Sequence, residues 1–456
     1  MIGRNRTAQR NRLLCAICVG LALAFCACAA IAQPFALKDG ETVVFYGDSI
    51  TAQRLYTRDV EAFVLTRYPS LHVRFVNAGV PGDTAAGGYA GAMAERVHRD
   101  VAPWQPNMIA VMLGMNDGGW GYGSPDQIDA DFQKNYNALL DSLREAAPHA
   151  ALTLIMPTPY DEMTHGTEFP GYSRMIDRLA GDIDHIAAQL QAAGGPPVLL
   201  ADFHCHMVEA LQHATASDPQ LAALLIPDRI HPAEAGHWIM AAVLMAAWHA
   251  DPTVSSVALN AESASVTASE RTTITHLQKS EDGLEWSELD EALPLPLDFN
   301  NAMTPLLLQI SNLADLDRQM LRVDSLAPGQ YALSIDGKSI ASFSQQELER
   351  GINLALYKTP MVDQARGITG TETQRAELDQ ARFMLSADVK QSATTGIAEA
   401  TLRQAERELD AAVRPETMPK PHHFELERQV SPASQNQPRL EGAQQKRKVE
   451  SAAGEP

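Results

Sequence analysis

Cysteine is almost missing from this chain. Of the five in its 456 residues, Cys15, Cys18, Cys26 and Cys28 crowd into the start, and only Cys205 follows. A single thiol excludes an intrachain disulfide from the rest of the sequence, so the fold must rest on a packed core. Positive charge is also in short supply: 36 Lys and Arg stand against 56 Asp and Glu, a formal net charge of −20. That balance excludes binding nucleic acid or an anionic membrane surface through overall charge. No internal repeat is present. The length suits one large or two moderate domains.

One long uncharged run exists, "LLCAICVGLALAFCACAAIA" (13–32), behind Arg4, Arg6, Arg10 and Arg12. A basic start, an apolar run and Ala30-Ile31-Ala32 before Gln33 predict an export signal, residues 1–32, cleaved after Ala32. The run is also long enough to serve as an uncleaved membrane anchor. Cys26 and Cys28 lack the leucine-led small-residue context of a lipidation site. Cleavage would remove four arginines and no acid, moving the charge from −20 to −24. The expectation is an exported protein, periplasmic or secreted.

From about residue 42 to 250, apolar runs alternate with amphipathic stretches. The runs are "TVVFYG" (42–47), "HVRFVNAG" (72–79), "NMIAVMLG" (107–114), "ALTLIMP" (151–157) and "PVLLADF" (197–203); helical periodicity marks 126–147 and 233–250. Unbroken apolar strands separated by helices predict a parallel sheet covered on both faces, an α/β sandwich spanning 33–250. Beyond Asp251 the rhythm becomes strand-like, and Asp336-Gly337 suits a two-residue hairpin turn. Residues 251–370 read as a β-containing insertion or appendage returning to the main domain, 371–413 as a polar helical segment, and 414–456 as a disordered tail.

Ligands of an open parallel sheet gather beyond the carboxyl ends of its strands. Those ends carry Gly47-Asp48-Ser49, Asn77-Ala78-Gly79, Gly114-Met115-Asn116-Asp117, "PTPYDE" (157–162) and, before the last helix, Asp228-Arg229-Ile230-His231. Alone, each has a plain structural account: Ser49 caps a helix, Gly79 makes a turn, Asn116-Asp117 caps a loop. Together they divide into complementary tasks. Ser49 needs a base, His231 is one, and Asp228 can fix its tautomer. The N–H groups of Ser49 and Gly79 and the Asn116 amide can serve an oxyanion.

"GDS" after the first strand, "NAG", "GMND" and the late "DRIH" resemble, in order and context, the SGNH (GDSL-type) hydrolase family, over about residues 40–250. The resemblance implies a three-layer α/β/α sandwich with a five-stranded, mainly parallel sheet of flavodoxin-like kind. It implies Ser49 as nucleophile and first oxyanion donor, Gly79 and Asn116 as the others, and His231 with Asp228 as base and orienter. No cofactor and no metal is implied. The expected function is an exported serine esterase working through an acyl-enzyme, with a carbohydrate O-acetyl ester as preferred substrate. A lipase or thioesterase, or a non-catalytic glycan-binding protein on the same scaffold, are the rivals.

Trp120 and Tyr122, in "GGWGYG" (118–123), and Tyr160 and Asp161 on the fourth rim loop are candidates for binding a small-molecule or glycan ester. "ADFHCHMVEALQHA" (201–214) brings together metal-ligand types, Asp202, His204, Cys205, His206 and His213. The close spacing of its first two histidines does not suit one helix face, and a helix start with partly buried histidines accounts for it.

Overall fold

The computed structural model describes residues 33–388 and 393–429. The signal or anchor expected at 1–32 and the sequence beyond Gln429 lie outside them. Among the described residues no helix is long and apolar enough to cross a membrane.

Five strands, β1 (Thr42–Gly47), β2 (Arg74–Gly79), β3 (Met108–Met112), β4 (Ala151–Met156) and β5 (Val198–Asp202), pair in the order β2-β1-β3-β4-β5, every pair parallel. The reason β1 is apolar throughout is two-sided burial: Val43 and Phe45 enter one core, Val44 and Tyr46 the other. Helices α2 (Leu55–Arg67), α5 (Phe203–Ser217) and α6 (Glu234–Ala247) fill the first core. On the opposite face lie α3 (Pro125–Ala146) and much of α4 (Tyr172–Ala193), where Phe132, Tyr136, Leu139, Leu140 and Leu143 form one stripe along α3. This is the three-layer α/β/α sandwich that the run spacing predicts.

After α6 the chain builds two further sheets. One pairs β6 (Thr253–Asn260) with β7 (Ser265–Glu270) and, in parallel, with β10 (Arg318–Asp324). The other is antiparallel, in the order β8 (Thr272–Lys279), β9 (Gly283–Asp290), β13 (His422–Gln429), β11 (Gln330–Ile335), β12 (Lys338–Ser344). Asp336 and Gly337 both hold positive φ, 53° and 72°, as a primed hairpin turn requires. Between β12 and β13 stand two long helices, α7 (Pro360–Asp388) and α8 (Ala393–Thr417).

The end of the chain departs from expectation. Rather than losing structure from Arg414, it continues α8 to Thr417 and then supplies β13, the central strand of the antiparallel sheet. Phe424 and Leu426 point into the core, and Phe424 stacks on Trp286 at 5.1 Å. A composition rich in Pro, Gln and charge hides two well-placed apolar residues whose partners lie far away in sequence.

Candidate active site

The rim is built by steric necessity at the end of β1. A Cβ on Gly47 would sit 2.2 Å from Thr51 Oγ1 and 2.8 Å from the Met112 carbonyl, so only glycine lets the chain fold straight back. It does so as α1 (Ser49–Ala52), a single helical turn capped by Asp48, whose Oδ1 accepts the Ile50 N–H at 2.9 Å. Ser49, the first residue of that turn, keeps a backbone N–H that meets no acceptor among the described residues, as a helix start leaves it. Its Oγ lies 2.8 Å from His231 Nε2.

His231 belongs to the loop before α6. Its Nδ1 lies 2.7 Å from Asp228 Oδ2, while Asp228 Oδ1 accepts the backbone N–H groups of His231 (2.7 Å) and Ile230 (3.0 Å). Burial pushes the Asp228 carboxyl up, but these donors outweigh it and hold the group below its usual value. The loop is anchored in turn by its neighbours: Arg229, at φ 73°, reaches the carbonyls of His165 and Gly166 and pairs with Glu168. Serine, histidine and aspartate thus stand in one hydrogen-bonded line, across 182 residues of sequence. Chemically, that line can take a proton from a hydroxyl as the oxygen attacks.

The oxyanion side partly overturns expectation. Asn116 is in place, one amide hydrogen donated to the Asp83 carbonyl at 2.9 Å. Gly79 is not a free donor: its N–H already goes to Asn77 Oδ1 at 3.0 Å. Its missing side chain serves packing, because a Cβ there would come within 2.4 Å of the Ala52 nitrogen. Three residues on, Gly82 is exposed, holds φ 76°, and its N–H meets no acceptor among the described residues. Since Asp83 binds Asn116, Gly82 lies in the loop segment that flanks the amide. Both glycines stand in "NAGVPGD", where the sequence does not distinguish a close-packed glycine from a left-handed one.

The expected aromatic wall divides as well. Tyr160 and Asp161 are buried, correcting their assignment as substrate contacts. Asp161 accepts the N–H groups of Met163 and Thr164 and the Thr164 hydroxyl, and its own N–H donates to the Arg229 carbonyl. It ties the fourth rim loop to the histidine loop. Trp120 stacks on Tyr172 at 4.8 Å, and the Tyr172 hydroxyl bonds to the Met115 carbonyl, so this aromatic pair braces the Asn116 loop. Tyr122 alone stays 77% exposed, on a cleft of about 450 Å³ lined also by Gly118, Ile128, Tyr172, Arg174 and Arg178.

His237, unnoticed in the sequence, stabilises the serine turn from α6. Burial, with Arg58 nearby, takes it down to about 3, so the ring is neutral; Nδ1 accepts the Tyr56 N–H and Nε2 lies 2.9 Å from Gln53 Oε1. The ligand types of 201–214 do not converge. Asp202 caps α5 through the Cys205 N–H, His206 bonds the Asp202 carbonyl, and His204 pairs with Asp177. Among the described residues Glu285, His423 and Glu425 do gather on the antiparallel sheet, with His423 Nε2 3.4 Å from Glu425 and 4.0 Å from Glu285. Cross-strand pairing of Glu285 with Glu425, with His423 beside them on the same strand as Glu425, accounts for that trio.

Beneath the rim lie three acids. Burial pushes the Asp48 carboxyl up to about 7, opposed by the Ile50 N–H and reinforced by Asp117 and Asp83. Asp117 is likewise raised to about 7 by burial. Asp83 is raised by burial against the pull of buried Arg96, which it pairs with. Protonated, Asp48 and Asp117 place no negative charge beside a developing oxyanion. In an unfolded chain both ionise near pH ~4. Their contribution to stability is therefore fully present below about pH 4 and lost as pH rises through about 7. Asp117→Asn keeps an oxygen for the Ala85 N–H and should flatten the fall of Tm between about pH 5 and pH 8. An unchanged slope in that titration would contradict the assignment.

A doubly covered parallel sheet with a serine–histidine–aspartate line on its carboxyl rim defines a hydrolase. The sequence pattern of the GDSL-like lipase/acylhydrolase family matches residues 45–239. An acetylxylan esterase of Geobacillus stearothermophilus is 26% identical over 221 residues, covering 45% of this chain and 92% of that one. Among solved structures, a gut microbial diltiazem-metabolizing enzyme superposes with a TM-score of 0.72 at 24% identity, covering 86% of this chain and 98% of that one. That likeness extends the shared fold beyond the sandwich into the appendage. The match places residues 45–239 among the SGNH, or GDSL-type, hydrolases, and the family and the relative together support an esterase.

Proposed function

We propose that the chain is an exported serine esterase that removes O-acetyl groups from a carbohydrate. The observation that carries the mechanism is the 2.8 Å contact of Ser49 Oγ with His231 Nε2, continued at 2.7 Å to Asp228. Ser49 Oγ attacks the acetyl carbon and its proton passes to Nε2. The carbonyl electron pair moves onto oxygen, where the Ser49 N–H, the second Asn116 amide hydrogen and the Gly82 N–H receive it. Gly82 takes the donor role for which Gly79 has no hydrogen to spare. As the intermediate collapses, the carbon–oxygen bond to the sugar breaks and the proton on Nε2 goes to the departing alcohol oxygen. Water then repeats the sequence on the acyl-enzyme, releasing acetate and restoring Ser49.

Three observations support the substrate class: the acetylxylan esterase relative, the exposed Tyr122 on a shallow cleft that suits stacking on a sugar face, and the export signal read at residues 1–32. The test is an ester panel of acetylated xylo-oligosaccharide, a chromogenic acetate and acyl esters of increasing length, with Ser49→Ala as the baseline. Acetyl esters should lead. Rates that climb with acyl length would overturn the acetyl assignment in favour of a lipase or thioesterase.

A further inference from the structure

Nothing above uses the helical pair α7 and α8, yet it closes against the serine turn through buried charge. α1 is so short that its last carbonyls lack i+4 partners within it. The Thr51 carbonyl accepts the Arg54 N–H at 3.0 Å, and side chains complete the set. Asn77 Nδ2 donates to the Thr51 carbonyl at 2.8 Å, and Arg54 Nη1 donates to the Ala52 carbonyl at 3.1 Å. Arg54 does this from a strained backbone, φ 62° and ψ 7°, at the junction of α1 and α2, and it is only 6% exposed. The rest of its guanidinium faces Asp379 of α7, with Nε at 3.3 Å and Nη2 at 3.2 Å from Oδ2. Asp379 is itself braced by Arg382, and Arg382 by Glu406 of α8 at 2.9 Å.

Other contacts suffice to dock the helical pair. Arg375 pairs with Glu61 of α2, Arg414 reaches the Leu71 carbonyl at 3.1 Å, and Phe383 joins the core beneath β2. The Asp379–Arg54 pair differs from these because its far end grips the turn that presents Ser49. A plain neutral residue at position 54 would leave the Ala52 carbonyl without this donor, and an arginine without Asp379 would be a buried charge with no carboxylate to orient it.

We propose that Asp379 is a positioning residue for the esterase: through Arg54 it fixes the end of the serine turn, so that the C-terminal helical pair sets the aim of Ser49. This rests on the reading of Ser49 as nucleophile. The turn is held at both ends, by Asp48 at its start and by Arg54 at its finish, and α7 enforces the second.

The experiment uses the full-length protein and its Asp379→Asn, Arg54→Gln, double and Glu61→Gln variants. Each is measured for kcat and KM on a chromogenic acetate, for the rate of inactivation by a fluorophosphonate, and for Tm. Asp379→Asn and Arg54→Gln should each lower kcat and the inactivation rate by about tenfold, with KM within about twofold, since small displacements of a reacting group are costly. The double variant should be no slower than Arg54→Gln alone. Glu61→Gln breaks a comparable ion pair between α2 and α7 that does not touch the serine turn, and should lower Tm while leaving kcat within about twofold of wild type. Should Asp379→Asn fail to fold, Arg54→Gln carries the comparison. Wild-type inactivation rates in the folded variants overturn the proposal, as does equal loss of kcat in Glu61→Gln. A wild-type protein left unlabelled at Ser49 overturns the nucleophile reading itself and this one with it. Labelled wild type with unaltered variants overturns this one alone.

Discussion

Ser49→Ala is expected to lower kcat on an acetate ester by about 10⁴- to 10⁶-fold, to the level that binding and oxyanion donors alone sustain. The loss is chemical rather than structural. The Ser49 hydroxyl contacts His231 Nε2 and no other group among the described residues, and the capping of α1 belongs to Asp48. Alanine is also a good helix residue in that position. Tm should accordingly stay within about 1 °C of wild type, since a chain of this length moves only about 1–2 °C per kcal/mol. The checks are steady-state rates and thermal melts on the same preparations, together with loss of the mass increment that a fluorophosphonate adds. A decline of less than tenfold in kcat would remove Ser49 from the chemistry.

Asp228→Asn is expected to lower kcat by about 10³-fold with KM nearly unchanged. The amide can turn either an oxygen or an NH₂ toward His231 Nδ1, and it no longer stabilises the imidazolium that forms when Ser49 gives up its proton. The effect sits below the largest known for such replacements because the Asp228 side chain is half exposed, and water can take over part of its role. The sign of the pH dependence follows from the direction of its shift. Donors from His231 and Ile230 depress its pKa despite burial, so the stability and alignment it contributes are present above its unfolded value near ~4 and vanish as pH falls through the lower folded value. At neutral pH, Asp228 is ionised and limits nothing. A wild-type pH–rate profile measured beside the variant checks this. If the two profiles differ by a constant of less than about tenfold across pH 6–8, Asp228 does not orient the base.

Much of this could be read from residues alone, and the reasons are local. A strand buried on both faces must be apolar at every position, so "TVVFYG" and its successors announced a parallel sheet. Strand ends must carry their polar groups outward, so Ser49, Asn116, Asp228 and His231 fell on one rim. What stayed hidden depends on encounters between distant parts of the chain. Gly79 and Gly82 look alike until Ala52 is found against one of them and Asn77 is found to take its N–H. Tyr160 and Asp161 have the chemistry of contact residues, and only the fold shows them buried beneath the loops they join. Arg54 and Asp379 are 325 positions apart and carry no motif. Phe424 and Leu426 make a strand only because β9 and β11 leave a gap for them.

That last strand has a consequence for how the molecule comes into being. The sandwich, residues 42 to 250, is synthesised before any of the appendage, and every one of its sheet pairings is available by the time Asp251 is made. The antiparallel sheet is different, because β13 fills its middle and emerges after all four of its companions. Until then β9 and β11 wait with bare backbone edges, open to pairing with another chain. Synthesis therefore passes through a stage in which a paired central sheet, its serine turn not yet braced by α7, trails an unfinished antiparallel sheet. That interval, rather than the native state, is where aggregation and proteolysis have their opening.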